Sequence, residues 1–151
     1  MFVITMVVCV HLPRFELLVA AGDRALLLRE PAALAPEPGS GAGQAIGEVS
    51  PPAEAFGVRP GMPLSEALGR CPALALVPPD PAGVVEAWEL VLGRLESIGA
   101  AVAPERPGLV CFEQRSLRRL LGGIEPVIAA ARRALRRPEA RVGAGPSRFC
   151  A

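Results

Sequence analysis

Lysine is absent: all 16 basic residues are arginine, set against 15 acidic ones. The formal net charge is therefore only +1, and no overall charge excess points to nucleic acid. Genome base composition can produce an all-arginine set as readily as selection can, although arginine suits phosphate contacts. Histidine occurs once, as His11, and the four cysteines (Cys9, Cys71, Cys111, Cys150) are scattered without a C-x-x-C. That excludes a zinc site of the usual spacing and does not resemble a disulfide framework. Reduced thiols in a cytoplasmic setting are the simplest expectation. Long apolar runs are missing too. Met1 to Val10 is apolar but far short of the ~20 residues that span a bilayer. No basic residues precede it, and it runs into His-Leu-Pro-Arg rather than a small-residue cleavage pattern, so it is read as a buried strand with no membrane partner. No internal repeat is visible.

What is present is apolar content, 51% over 151 residues, enough for the core of one domain. Phe2 to Val10, rich in Val, Ile and Phe, predicts a central strand broken by Pro13. Arg14 to Ala21 predicts a short helix ended by Gly22, and Ala25 to Arg29 a short strand. Pro31 to Gly43 shifts to Pro, Ala and Gly, a loop. Asp80-Pro81 is a helix start, an acidic N-cap with proline at the first helical position. In the helix that follows, Val84, Val85, Trp88, Val91, Leu92, Leu95 and Ile98 form one stripe, and Gly99 ends it. Trp88 is read as core on that stripe rather than as a base-stacking platform. Ala101 to Ala103 and Leu109 to Phe112 predict a hairpin across Pro-Glu-Arg-Pro-Gly. Ser116 to Leu121 and Glu125 to Arg137 predict two further helices, the second with Val127, Ile128, Ala131 and Leu135 inward. Pro138 closes it and Ala140 to Ala144 is a last strand. Strands and helices alternate around a hairpin, so the fold class is α+β, a mixed, largely antiparallel sheet with helices on one face, close to the ferredoxin-like plan.

The chain is organised around Ile46 to Pro79, IGEVSPPAEAFGVRPGMPLSEALGRCPALALVPP. A short helix carrying Ala53 to Phe56 ends on Gly57, Pro60-Gly61 makes a tight turn, Leu64 to Cys71 is a second helix, and Ala73 to Val77 is a strand. About thirty residues in this order resemble the fingers-to-palm passage of Y-family (UmuC-like) translesion DNA polymerases. The resemblance implies one palm and fingers domain over residues 1–151, with the fingers inserted at about 30–80, and thumb and little-finger domains beyond Ala151. Ser147 to Ala151 is read as the first turn of a helix, so either a truncated or split product is expected or the rest comes from another polypeptide.

Such a polymerase needs carboxylates at two places to hold two magnesium ions. By resemblance the first falls in Val8-Cys9-Val10-His11, which has no carboxylate before Glu16. The second, an acidic pair, falls on Gly108 and Leu109, and only a terminal acid survives, as Glu113. The aligned positions Cys9, Val10, Gly108 and Leu109 therefore lack the ligands, and neither a catalytic set nor a metal site is expected. The triphosphate-touching tyrosine and arginine of the family correspond most nearly to Pro51 and Glu54, and a glutamate there would repel the phosphates. His11 has no Cys, His or Asp company and is read as structural or incidental. Arg141 to Phe149 resembles the strand and turn that lead a basic residue, here Arg148, toward phosphates; the plainer reading is a tight glycine turn. Arg132, Arg133, Arg136 and Arg137 are a solvated helix end that can contact a DNA backbone.

The resemblance thus implies a non-catalytic, polymerase-like protein of DNA repair, similar to the inactive subunit of bacterial mutagenic repair assemblies. It implies weak backbone contact with DNA, other repair proteins as partners, and no cofactor. One alternative is an atypical nucleotidyltransferase using Glu105, Glu113 and Mg²⁺. Another is an unrelated ferredoxin-like interaction domain, which requires that Val8–His11 not lie beside Gly108–Leu109.

Overall fold

The computed structural model describes residues 5–41 and 44–151; the expected strand residues 2–4 and loop residues 42–43 lie outside them. Two compact units are present, residues 1–13 with 85–151, and residues 14–84.

The first unit is built on strand β1 (Val7–His11), whose Val8 and Val10 are fully buried. The second unit opens with helices α1 (Phe15–Ala21) and α2 (Arg24–Arg29). The strand expected at Ala25 to Arg29 is thus a helix. Asp23 accepts a hydrogen bond from the Ala25 N–H at its start, and its Arg-Ala-Leu-Leu-Leu-Arg run consists of good helix formers. The expected loop at Pro31 to Gly43 is corrected at its front end by strand β2 (Ala32–Leu34). Helices α3 (Pro51–Ala55) and α4 (Leu64–Arg70) follow, then strand β3 (Ala75–Val77), which pairs parallel with β2. Between the two helices Gly57 and Gly61 have φ of 81°, the left-handed values the turn requires. Ala33, Ile46, Val49, Ala53, Val58, Ala67, Cys71 and Leu74 form the core here.

Helix α5 (Pro81–Ser97) begins as expected, with Asp80 Oδ1 accepting from the Gly83 N–H at 3.0 Å. Val84, Trp88, Val91 and Leu95 are buried, but Val85 is 57% exposed and leaves the stripe. Strands β4 (Val102–Arg106) and β5 (Leu109–Glu113) form the hairpin. Its turn is only Pro107-Gly108, tighter than the five residues expected, because Gly108 takes φ 86°. Helices α6 (Arg115–Leu121) and α7 (Ile124–Leu135) and strand β6 (Arg141–Gly145) complete the unit. The four strands run β4-β5-β1-β6, antiparallel at every step. That order, with helical crossovers after β1 and β5, is the ferredoxin-like plan. The C-terminal residues do not begin a helix: they form a turn in which the Cys150 N–H reaches the Ser147 carbonyl.

Candidate functional site

Side chains alternate across the four-stranded sheet. Val8, Val10, Val110 and Phe112 occupy one face and are buried. The opposite face lines a cavity of about 640 Å³, bounded by Cys9, His11, Leu109, Cys111, Arg141 and Gly143, with Glu105 and Arg148 at its wall. Register builds this face in two rows. Arg106 pairs with Leu109, Leu109 with His11, and His11 with Arg141; two residues along, Ala103, Cys111, Cys9 and Gly143 stand in line. The bulge in β4 at Pro104–Arg106 holds Glu105, where Arg148 donates a hydrogen bond to its carboxylate. Glycine at 143 and 145 lets the C-terminal turn lie close on β6. A Cβ on Gly143 would sit 2.7 Å from the Ala151 carbonyl carbon.

Cys9 and Cys111 form a disulfide, with Sγ atoms 2.22 Å apart. This corrects the expectation of reduced thiols at these positions. Spacing concealed the pair, since 102 residues separate them, whereas antiparallel register sets them directly opposite. Cys71, buried, and Cys150, exposed, are free thiols.

Burial first, then the Arg106 and Arg141 guanidiniums, hold the His11 pKa below its ordinary value of 6.5. A histidine depressed in the folded state favours folding above its unfolded pKa, and that contribution is lost as pH falls through the folded value. The thermal midpoint is therefore expected to decline as pH drops from about 6.5 toward 5, and His11→Asn to flatten that decline. Equal slopes for both proteins in a pH series of thermal melts would contradict this assignment.

The residues present do not fit the magnesium ions that the resemblance implies. At the aligned positions stand a disulfide sulfur, Cys9, and the side chains of Val10 and Leu109, with Gly108 in the turn. Hard cations need carboxylate oxygens. Glu105 is bonded to Arg148, and Glu113 lies four residues along β5 from Leu109, about 14 Å at ~3.4 Å per residue. Among the described residues no group of three or more His, Cys, Asp or Glu is arranged to hold a metal. His11, read as structural or incidental, lines the cavity; its i, i+2 spacing from Cys9 places the two on one face. The structure also brings Val8–His11 beside Gly108–Leu109, with the Leu12 N–H donating to the Gly108 carbonyl at 2.8 Å.

The arginines of α7 divide. Arg132, Arg133 and Arg136 are exposed at its C-terminal end, whereas Arg137 is half-buried and pairs with Glu139 at 3.3 Å. Arg136 takes φ 51° as the C-cap. In the second unit, Glu54 accepts from Arg14 Nη2 at 2.9 Å, so its charge is already engaged. Ser50, which sequence reading passed over, is wholly buried and serves as the N-cap of α3; a serine directly before Pro-Pro was the signal. No helix among the described residues is long and apolar enough to cross a membrane.

Residues 10–151 match the model of the family described as IMS, the impB/mucB/samB family. No curated protein sequence matches the chain. Among solved structures, the insertion ternary complex of Dbh DNA polymerase superposes with a TM-score of 0.81 at 18% identity, covering 97% of this chain and 44% of that one. DinB from Sulfolobus solfataricus gives 0.80 at 18% identity, over 97% and 43%. A Y-family DNA polymerase chimera of Dbh and Dpo4 gives 0.75 at 18%, over 93% and 42%. This chain spans less than half the length of those polymerases, and at such identity the likeness is one of fold.

Proposed function

Because the chain belongs to the impB/mucB/samB family and carries the palm and fingers fold of Y-family polymerases, we propose that it is a non-catalytic member acting in DNA repair by translesion synthesis. It serves there as a scaffold beside an active polymerase. The observation that carries this reading is that a disulfide sulfur and Leu109 on the open face, with buried Val10 and the turn residue Gly108, occupy the positions that the resemblance assigns to carboxylates. Catalysis of nucleotide addition rests on two cations clamping the phosphates and activating the attacking hydroxyl, and no oxygen set here suits them. Contact with DNA falls to Arg132, Arg133 and Arg136, whose exposed guanidiniums suit backbone phosphates without reading sequence.

A primer-extension assay with Mg²⁺ or Mn²⁺ tests the first half. No product above the protein-free control is expected. Extension that disappears in the Glu105→Gln, Glu113→Gln double variant would establish the atypical nucleotidyltransferase instead. Fluorescence anisotropy with a primed template tests the second half. Replacing Arg132, Arg133 and Arg136 by alanine is expected to weaken binding about tenfold at low salt and to make its salt dependence shallower by about 2–3 in log–log slope. An unchanged slope would remove this helix end from the DNA interface.

A further inference from the structure

The same face that fails as a cation site has the charge of an anion site. Arg106, Leu109, His11 and Arg141 lie in one cross-strand row, with a guanidinium at each end of it and Arg141 directly beside His11. Among the described residues, no ion pair engages Arg106 or Arg141. Like charges gathered on one row oppose folding, and nothing in the strand pairing requires them there. Arg148 adds a second guanidinium to the cavity wall beside Arg141, shared with the Glu105 carboxylate. The cavity is concave and, at about 640 Å³, has the size of a small-ligand site. Its floor is fixed by the Cys9–Cys111 cross-link, and Gly143 lets Ala151 close over β6 at one side.

We propose that this cavity binds a small phosphate-bearing anion without any divalent cation, held by Arg141 against His11, with Arg148 at the rim. The inference rests on the reading that the metal-binding carboxylates are absent. Guanidinium forks match phosphate oxygens two at a time, which supplies geometry as well as charge. In the field of two arginines the neutral imidazole offers its ring N–H as a further donor. Positive side chains thus take over the charge balance that metal ions would otherwise provide.

Isothermal titration of the full chain with inorganic pyrophosphate in EDTA tests the proposal. Saturable binding is expected, weakened about tenfold or more in Arg141→Gln, by less in Arg141→Lys, which keeps the charge but not the fork, and unchanged in Arg119→Gln on α6. Arg141 is exposed, so these variants are expected to keep the parent thermal midpoint, which circular dichroism checks. Competition by a short single-stranded oligonucleotide, lost in the same Arg141→Gln variant, would leave the site standing and assign its phosphate to a nucleic-acid backbone. No binding up to about 10 mM, equal binding in Arg141→Gln, or binding only when Mg²⁺ is added would each overturn the proposal. The first two results leave the non-catalytic reading intact. That reading is overturned separately, by primer extension.

Discussion

Reducing the Cys9–Cys111 disulfide, or replacing both cysteines by alanine, is expected to lower the unfolding free energy by about 2–4 kcal/mol. The bond joins residues 102 apart in sequence, so the closed loop contains the whole second unit, α5 and β4. A loop of about 100 residues gives up to about 4.7 kcal/mol in the chain-entropy limit, from the freedom it removes from the unfolded chain. Native contacts contribute little to the difference. β1 and β5 stay paired by their backbone ladder whether or not the sulfurs are joined, and both side chains are small. Urea unfolding of the oxidised protein, the reduced protein and the Cys9→Ala, Cys111→Ala variant measures the effect. The last two are expected to coincide, and Cys150→Ser, exposed and unbonded, to match the parent. A shift below about 0.5 kcal/mol on reduction would mean that the cross-link does not constrain the unfolded chain. The same comparison bears on the cavity, whose floor the disulfide forms: reduction should loosen pyrophosphate binding without abolishing it.

The elements that were legible in the sequence carry their own local signals. Asp80-Pro81 announces α5, Gly57 and Gly61 announce the turns around α3 and α4, and Leu109 to Phe112 reads as a strand because its residues favour one. The errors fall where a short segment has no decisive signal. Arg24–Arg29 is as apolar as a strand of that length, and only the Asp23 side chain, bonded to Ala25, marks it as helical. Ala32–Leu34 is a strand because β3, more than forty residues away in the chain, pairs with it on one side and residues 47–50 bond to it on the other. Local composition cannot announce such a pairing.

The candidate site divides along the same line. Missing carboxylates at Cys9, Val10, Gly108 and Leu109 could be read one position at a time. The disulfide, the Arg106–Leu109–His11–Arg141 row and the engagement of Glu105 by Arg148 could not, because each joins residues distant in sequence. Once register is known, the absence of lysine gains meaning as well: guanidinium forks rather than ammonium points face the cavity.

Ser50→Ala is expected to destabilise the second unit by about 2–3 kcal/mol, a large effect for the loss of one oxygen. A serine hydroxyl offers one donor and two acceptor positions, and here all three are used. Oγ donates to the Glu30 carbonyl at 2.9 Å and accepts from the Ala32 N–H at 2.8 Å and the Ala53 N–H at 3.4 Å. It therefore joins the end of α2, the start of β2 and the first turn of α3, and the Ser50 backbone N–H adds a bond to the Ala32 carbonyl. In the alanine variant the buried Ala32 N–H loses its partner, at about 1–3 kcal/mol, and α3 loses its cap, at about 1 kcal/mol. The Glu30 carbonyl lies at an exposed residue and can turn to water, so it adds little. Ser40→Ala makes the same chemical change at an exposed turn, where Oγ reaches only the Glu37 carbonyl, and is expected to move stability by less than about 0.5 kcal/mol. Denaturant titrations of the two variants separate burial from chemistry. Similar small shifts for both would show that β2 and α3 are held by their packing alone, through Ala33, Val49 and Ala53, and not by this hydroxyl.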